Sequence, residues 1–182
     1  IPASTTFAPG GAVVTSDLEV AGTLSSASDV TVNGGDVTGA GTITHSGGTF
    51  LVDETGSFGG NTAWTFNNLT FGNGSGAATT TTTGSGAITV GATLTIAANQ
   101  ILDAASKTWY IDGTGAAFVT TGTFTANAST ISYRNISSAT PASTTYYNLD
   151  FAPASGTPTY TFGSTAVNVS NNLTLSGAGP IV

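Results

Sequence analysis

The sequence predicts an all-β protein, wound as a β-solenoid (parallel β-helix-like) in preference to a β-sandwich or jelly-roll subunit. Three observations carry this. Ile88, Val90, Leu94 and Ile96 lie on one face of a strict alternation, which is strand periodicity and not helical periodicity. Thr is the commonest residue, and with 25 Gly and almost no Lys, Arg, Glu or Gln nothing would sustain a helix. The alternating bursts are short, recur about every ten residues and are separated by Gly and Asn, which accept corner conformations cheaply.

The first stretch, Ile1–Gly11, carries two prolines around Phe7 and reads as an extended segment able to lie along another surface. Its Pro2-Ala3-Ser4-Thr5-Thr6 recurs as Pro141-Ala142-Ser143-Thr144-Thr145. Short bursts follow at Leu18–Val20, Val30–Val32, Ile43–His45 and Phe50–Val52, so residues 1–60 form an extended segment and a short-strand region. A first repeat unit spans 61–140, and a partial second unit spans 141–182, the whole forming one continuous body. The echo is direct: Phe66-Asn67-Asn68-Leu69-Thr70-Phe71 reads against Tyr146-Tyr147-Asn148-Leu149-Asp150-Phe151, and Ala87–Ile96 against Ala166–Leu175. The consecutive threonines Thr79–Thr83 read as one exposed strand, with a flat hydroxyl array for water or sugar as the rival reading.

Composition excludes several classes of function. Only 6% of residues are charged, against about 25% in ordinary globular proteins. The net charge of −7 leaves Lys107 and Arg134 as the only bases, so no cationic surface exists for nucleic acid or anionic lipid. No apolar run approaches the roughly 20 residues of a membrane helix. Cys is absent, and a Thr/Ser/Gly/Asn surface is typical of proteins displayed outside cells. The start at Ile1-Pro2 without Met favours a processed or excised chain, and the lack of an amphipathic cap at either end favours stacking against a neighbour or a place within a longer solenoid. The same Pro-bearing start could instead pair with an exposed sheet edge.

The motifs FNNLTF (66–71), ITVGATLTI (88–96) and KTWYIDGTG (107–115) resemble the Thr/Gly-rich repeats of very large surface proteins of uncultivated bacteria. They are also similar to the β-solenoid passengers of filamentous-haemagglutinin-like adhesins. The resemblance covers residues 60–182 and implies a secreted or surface-attached elongated structure for adhesion, covering or appendage building. It implies no catalytic residues.

Few residues point to chemistry. His45 is the only histidine, with no nucleophile marked beside it, and reads as a surface or corner residue. Asp53 and Glu54 are adjacent and would face opposite sides of a strand. Asp17, Glu19, Asp29 and Asp36 could supply paired carboxylates for glycoside hydrolysis from separate rungs, but read as solvated corner acids. Gly34-Gly35-Asp36 resembles the corners of calcium-binding β-rolls, which makes Asp36 the one calcium candidate. No other cofactor is expected. Trp64, Phe66, Trp109, Tyr110, Tyr146 and Tyr147 read as core or packing aromatics, one of the last two outside, with sugar stacking as the rival. Sequons occur at Asn68, Asn73, Asn127, Asn135, Asn168 and Asn172, while Asn67-Asn68 and Asn171-Asn172 read as stacked corner amides.

The expected function is structural: an extracellular or cell-surface subunit or segment of a self-assembling fibre, sheath or surface layer, partnered by copies of itself. Pro2, Phe7, Tyr146, Tyr147 and Ile181 are the candidate assembly contacts. A glycan-binding adhesin is the alternative, and a polysaccharide-active β-helix enzyme the least supported.

Overall fold

The structure is a computed structural model and describes residues 1–135 and 137–178. In chain order the strands are β1 (Thr6–Phe7), β2 (Val13–Thr15), β3 (Leu18–Glu19), β4 (Thr23–Ser26), β5 (Val30–Val32), β6 (Val37–Gly39), β7 (Thr42–Val52), β8 (Gly56–Gly60) and β9 (Trp64–Phe71). They continue as β10 (Ala78–Thr82), β11 (Ile88–Ile96), β12 (Gln100–Asp103), β13 (Thr108–Ile111), β14 (Phe118–Thr120), β15 (Thr123–Thr125), β16 (Thr130–Tyr133), β17 (Thr145–Phe151) and β18 (Asn168–Leu175). Every pairing between them is parallel. The strands make a 12-stranded sheet whose main path is β1-β4-β7-β9-β11-β13-β16-β17-β18, and a 6-stranded sheet in the order β15-β12-β10-β8-β6-β3. This is an all-β solenoid of about seven turns, with no helix among the described residues.

One turn takes 17 to 25 residues, the separations of Thr6 from Thr23 and of Asn68 from Thr93. The long strands β7, β9 and β11 each run through a corner. Their register shifts between His45 and Thr49 and again between Val90 and Thr93, and such a bulge bends a strand without ending it. The wall can therefore turn while its hydrogen bonding continues.

Alternation decides what is inside. In β9 the burial runs Trp64, Phe66, then, past the bulge, Leu69 and Phe71, and in β11 it runs Ile88, Val90, Leu94 and Ile96. Parallel register stacks these residues into columns. One column is Phe7, Leu24, Ile43, Trp64, Ile88, Trp109, Ile131, Leu149 and Leu173, with Ile43 meeting Trp64 one step before the Thr44–Thr65 pair. The next runs from Ser26 through His45, Phe66, Val90, Ile111, Tyr133 and Phe151 to Leu175. Fully burying each such side chain contributes about 1.5–3 kcal/mol. Edge-on aromatic contacts tie neighbouring rungs, with ring centroids 5.0 Å apart for Phe50 and Phe66 and for Phe58 and Phe71.

The sequence echo takes a specific form. Leu69 pairs with Leu94 and Leu149 with Leu173, so each copy builds the same two-rung pair, bulge included. Yet Leu69 belongs to the column of Phe50 and Phe118, whereas Leu149 continues the column of Ile131 and Trp109. The second copy has moved two columns along the wall.

Close contact between rungs explains two glycines. Gly39 has φ 136°, and a Cβ there would strike the backbone of Val20. A Cβ on Gly86 would strike the Thr62 carbonyl. Both places need a residue without a side chain.

Two expectations are corrected. His45 is not at the surface: it is fully buried in the column that also holds Phe66, Tyr133 and Phe151, its ring edge-on to Phe50 with centroids 5.6 Å apart. Its Nε2 is 2.9 Å from the Ser28 carbonyl on the rung below, a partner 17 residues away that no local pattern signals. The threonine run is likewise not simply exposed. Thr80 and Thr82 point into the core, because β10 alternates, and Thr81 and Thr83 are the exposed members of the run.

Candidate assembly interface

Several polar groups inside the solenoid are satisfied from rung to rung, while Thr82 Oγ1 and Trp109 Nε1 are buried without a partner among the described residues. Gln100 Nε2 donates to Thr80 Oγ1 at 2.9 Å, and Trp64 Nε1 donates to the Gly41 carbonyl at 2.9 Å. Lys107 is buried, and its Nζ donates to the carbonyls of Gly86 (2.8 Å) and Gly84 (3.2 Å) one rung below. Loss of hydration pushes this amine down to about 8 from its ordinary 10.5. Burial also pushes the Tyr133 phenol up to about 12, and raises Tyr146, whose hydroxyl lies 3.5 Å from that of Tyr133.

The carboxylates hold corners together. Asp36 Oδ1 accepts the Ser57 N–H at 2.7 Å, Asp29 Oδ1 accepts the Thr49 N–H at 2.8 Å, and Asp53 accepts from the backbone and side chain of Asn73. Each bond reaches the next rung. Asp17 is similarly placed beneath Asp36, its Oδ1 3.4 Å from the Asp36 nitrogen. Asp17 lies in a corner and Glu19 in β3, so the two are not on one extended strand. Among the described residues, no three of His, Asp and Glu come close enough to hold a metal. Asp36, the calcium candidate, is thus an exposed corner acid bonded to the rung above it.

The aromatics divide. Trp64, Phe66, Trp109 and Tyr146 are in the core. Tyr110 lies outside, its ring covered by the Arg134 guanidinium at 3.8 Å, and Arg134 makes a two-pronged ion pair with Asp112. Tyr146, at 0% exposure, has no surface to offer a partner, and Tyr147 is half-buried on the opposite face. Its neighbours show the expected amide stacking: Asn171 Nδ2 donates to Asn148 Oδ1 at 2.8 Å, and Asn148 Nδ2 to Thr130 Oγ1 at 3.1 Å. Asn68 Nδ2 instead reaches the Gly48 carbonyl at 3.0 Å. Of the sequon asparagines, Asn73, Asn127, Asn168 and Asn172 are exposed and Asn135 is buried. Ile181 lies outside the described residues.

Apart from Ile101 on β12, the large exposed apolar side chains among the described residues collect at the two ends of the stack. At one end are Phe7 (44% exposed) and Val14 (68%), with Pro2 also exposed. The Pro2 carbonyl accepts from Thr5 Oγ1 at 2.6 Å, a turn that feeds β1 into the edge of the sheet. At the other end are Phe162 (48%), Leu173 (58%) and Leu175 (64%). There a groove of about 430 Å³ lies between the last rung and the loop before it, lined by Leu149, Phe162, Val167, Val169 and Leu173 among others.

One signal for these ends is present in the sequence and was missed by reading strand by strand. All nine acids and both bases fall between Asp17 and Asp150. β1, β2 and β18, at the two ends of the first sheet, therefore carry no charge, although charged side chains are the usual protection of an edge strand.

Compared with known proteins, the chain matches no family model, no curated protein and no solved structure.

Proposed function

We propose that this chain is a structural module of an extracellular fibre, sheath or surface layer, a subunit or segment whose work is to extend a hydrogen-bonded β wall. One observation carries the reading: an unbroken core column reaches from Phe7 to Leu173 and ends on both sides in partly exposed apolar residues, on strands without a charged side chain. Such ends are suited to receive another rung of the same kind, by strand addition at the sheet edge and by apolar contact beneath it. The composition agrees with a life outside cells. With 6% charged residues and no Cys, cohesion rests on backbone pairing, Thr and Asn contacts and apolar columns. The carboxylates of Asp29, Asp36 and Asp53 are occupied as corner ties, which favours architecture over hydrolysis.

Gold-labelled antibody against this chain, applied to intact source cells and to sections, tests the proposal. The expected result is label on external filaments or a continuous surface coat, seen without permeabilisation. Label confined to the cell interior would contradict it.

A further inference from the structure

The threonine run of β10 makes no hydroxyl array, since its alternate members point inward, but such an array is built elsewhere, across rungs. At the start of β7 burial alternates strictly: Ile43 is inside, and Thr42 and Thr44 stand on the outer face. Parallel register repeats this arrangement on neighbouring rungs. One outer row is Thr23, Thr42, Ala63 and Ala87, and the row beside it is Ser25, Thr44, Thr65 and Thr89. The second row ends at Tyr110, which Arg134 covers. The register is unshifted over this patch, because the bulges of β7, β9 and β11 come later, after His45, Phe66 and Val90. The rows therefore run straight up the side of the wall, ahead of the corner on every rung. Ser25, Thr42, Thr44, Ala63 and Thr65 are exposed and the other members half-buried. Being on the side of the stack, they owe this exposure to neither chain end.

The hydroxyls of the patch are also free. The corner residues Thr15, Thr62 and Thr120 donate to the carbonyls of Asp17, Gly41 and Gly122. Among the described residues, Thr23, Ser25, Thr42, Thr44, Thr65 and Thr89, in β4, β7, β9 and β11, make no side-chain hydrogen bond at all. Threonine is stiff at χ1, so the same strand setting on each rung holds these hydroxyls in a repeated orientation, each beside a methyl group. Rungs lie about 4.8 Å apart, and alternate residues along a strand about 6.7 Å apart. The prism face of hexagonal ice presents its oxygens at two similar repeats. A polysaccharide would need a ring to stack on and amides or carboxylates to grip its hydroxyls, and these rows carry neither.

We propose that this patch is an ice-binding surface, whose ligand is crystalline water held through the hydroxyls of Ser25, Thr42, Thr44, Thr65 and Thr89. Waters bridging hydroxyl to lattice bind nearly as well as direct hydrogen bonds, and a rigid array orders them at little further entropic cost.

Ice shaping and thermal hysteresis of the 182-residue chain, read in a nanolitre osmometer, test this. Wild type is expected to facet ice crystals held just below melting, and to stop their growth over a temperature gap that widens with protein concentration. Thr65→Tyr sets a ring in the middle of the second row and should abolish both effects. Thr44→Lys, one rung below, should do the same, so that the result does not rest on one variant. Thr81→Tyr, an equal change on the exposed side of β10, should keep both effects at the wild-type level. Far-ultraviolet circular dichroism verifies the fold of each variant. Ice growth unchanged by wild type at every concentration would overturn the proposal, as would equal losses in Thr81→Tyr and Thr65→Tyr. Retention on chitin or cellulose powder that Thr65→Tyr removes, without any effect on ice, would also overturn it by assigning the rows to a polysaccharide.

Discussion

Phe7 and Leu173 terminate a single nine-residue core column, and they are its only members with substantial exposure. Between them the column passes through Trp64, Ile88, Trp109 and Ile131, all fully buried. Position along the column should therefore set the effect of truncation. Ile88→Ala removes methylenes with rungs above and below, and is expected to lower stability by about 2–5 kcal/mol in urea titrations. Phe7→Ala in the monomeric chain is expected to lower it by less than about 1 kcal/mol. Equal losses at the two positions would contradict a column open at its end.

Neighbouring threonines on β10 should respond in opposite directions. Thr82 Oγ1 is buried with no hydrogen-bond partner among the described residues, so Thr82→Val removes an unsatisfied hydroxyl. It should stabilise by about 1 kcal/mol. Thr80 accepts from Gln100, so Thr80→Val strands a buried amide and should destabilise by about 1–3 kcal/mol. Thermal unfolding of both variants, side by side, decides this.

Lys107 gives stability a pH dependence of unusual sign. Folding lowers its proton affinity from 10.5 to about 8, so in that interval the unfolded chain binds the proton that the folded chain has released. Stability therefore rises with pH from about 8, by up to about 1.4 kcal/mol per pH unit. Tyr133 and Tyr146 act oppositely. Above their ordinary value of 10 the unfolded chain loses phenolic protons that the folded chain keeps, so stability falls. Wild type should be most stable near pH 10. Lys107→Met should remove the rise below it and leave the fall above it.

Added salt should matter little to the monomer. The ion pair between Arg134 and Asp112 is about one-third exposed at each side chain, a setting in which such pairs contribute less than about 1 kcal/mol. The melting temperature of wild type and of Asp112→Asn should then agree to within a few degrees, at both low and high sodium chloride. A large salt-dependent loss would show that charge, and not stacking, holds the wall.

The strands were legible because each reports its inward face by alternation within a few residues, as in Ile88–Ile96. The corners were legible because Gly and Asn mark them. What local pattern could not reveal is everything settled between rungs. His45, Lys107 and Gln100 look like surface residues in sequence, but their partners Ser28, Gly86 and Thr80 lie 17 to 21 residues earlier and one level down. The similar hexapeptides ending in Phe71 and Phe151 likewise gave no sign that they occupy different columns. That difference arises from the changing lengths of the turns between them. That β1, β2 and β18 carry no charged side chain shows only in a view of the whole chain.

The most direct test of the stacked wall is electron cryomicroscopy of the concentrated wild-type chain. Nine strands per copy on the first sheet, at about 4.8 Å each, predict filaments with a 4.8 Å meridional spacing and a subunit repeat of roughly 43 Å along the axis. Isolated rods of about that length at every concentration, or filaments whose strands run along the axis, would contradict it.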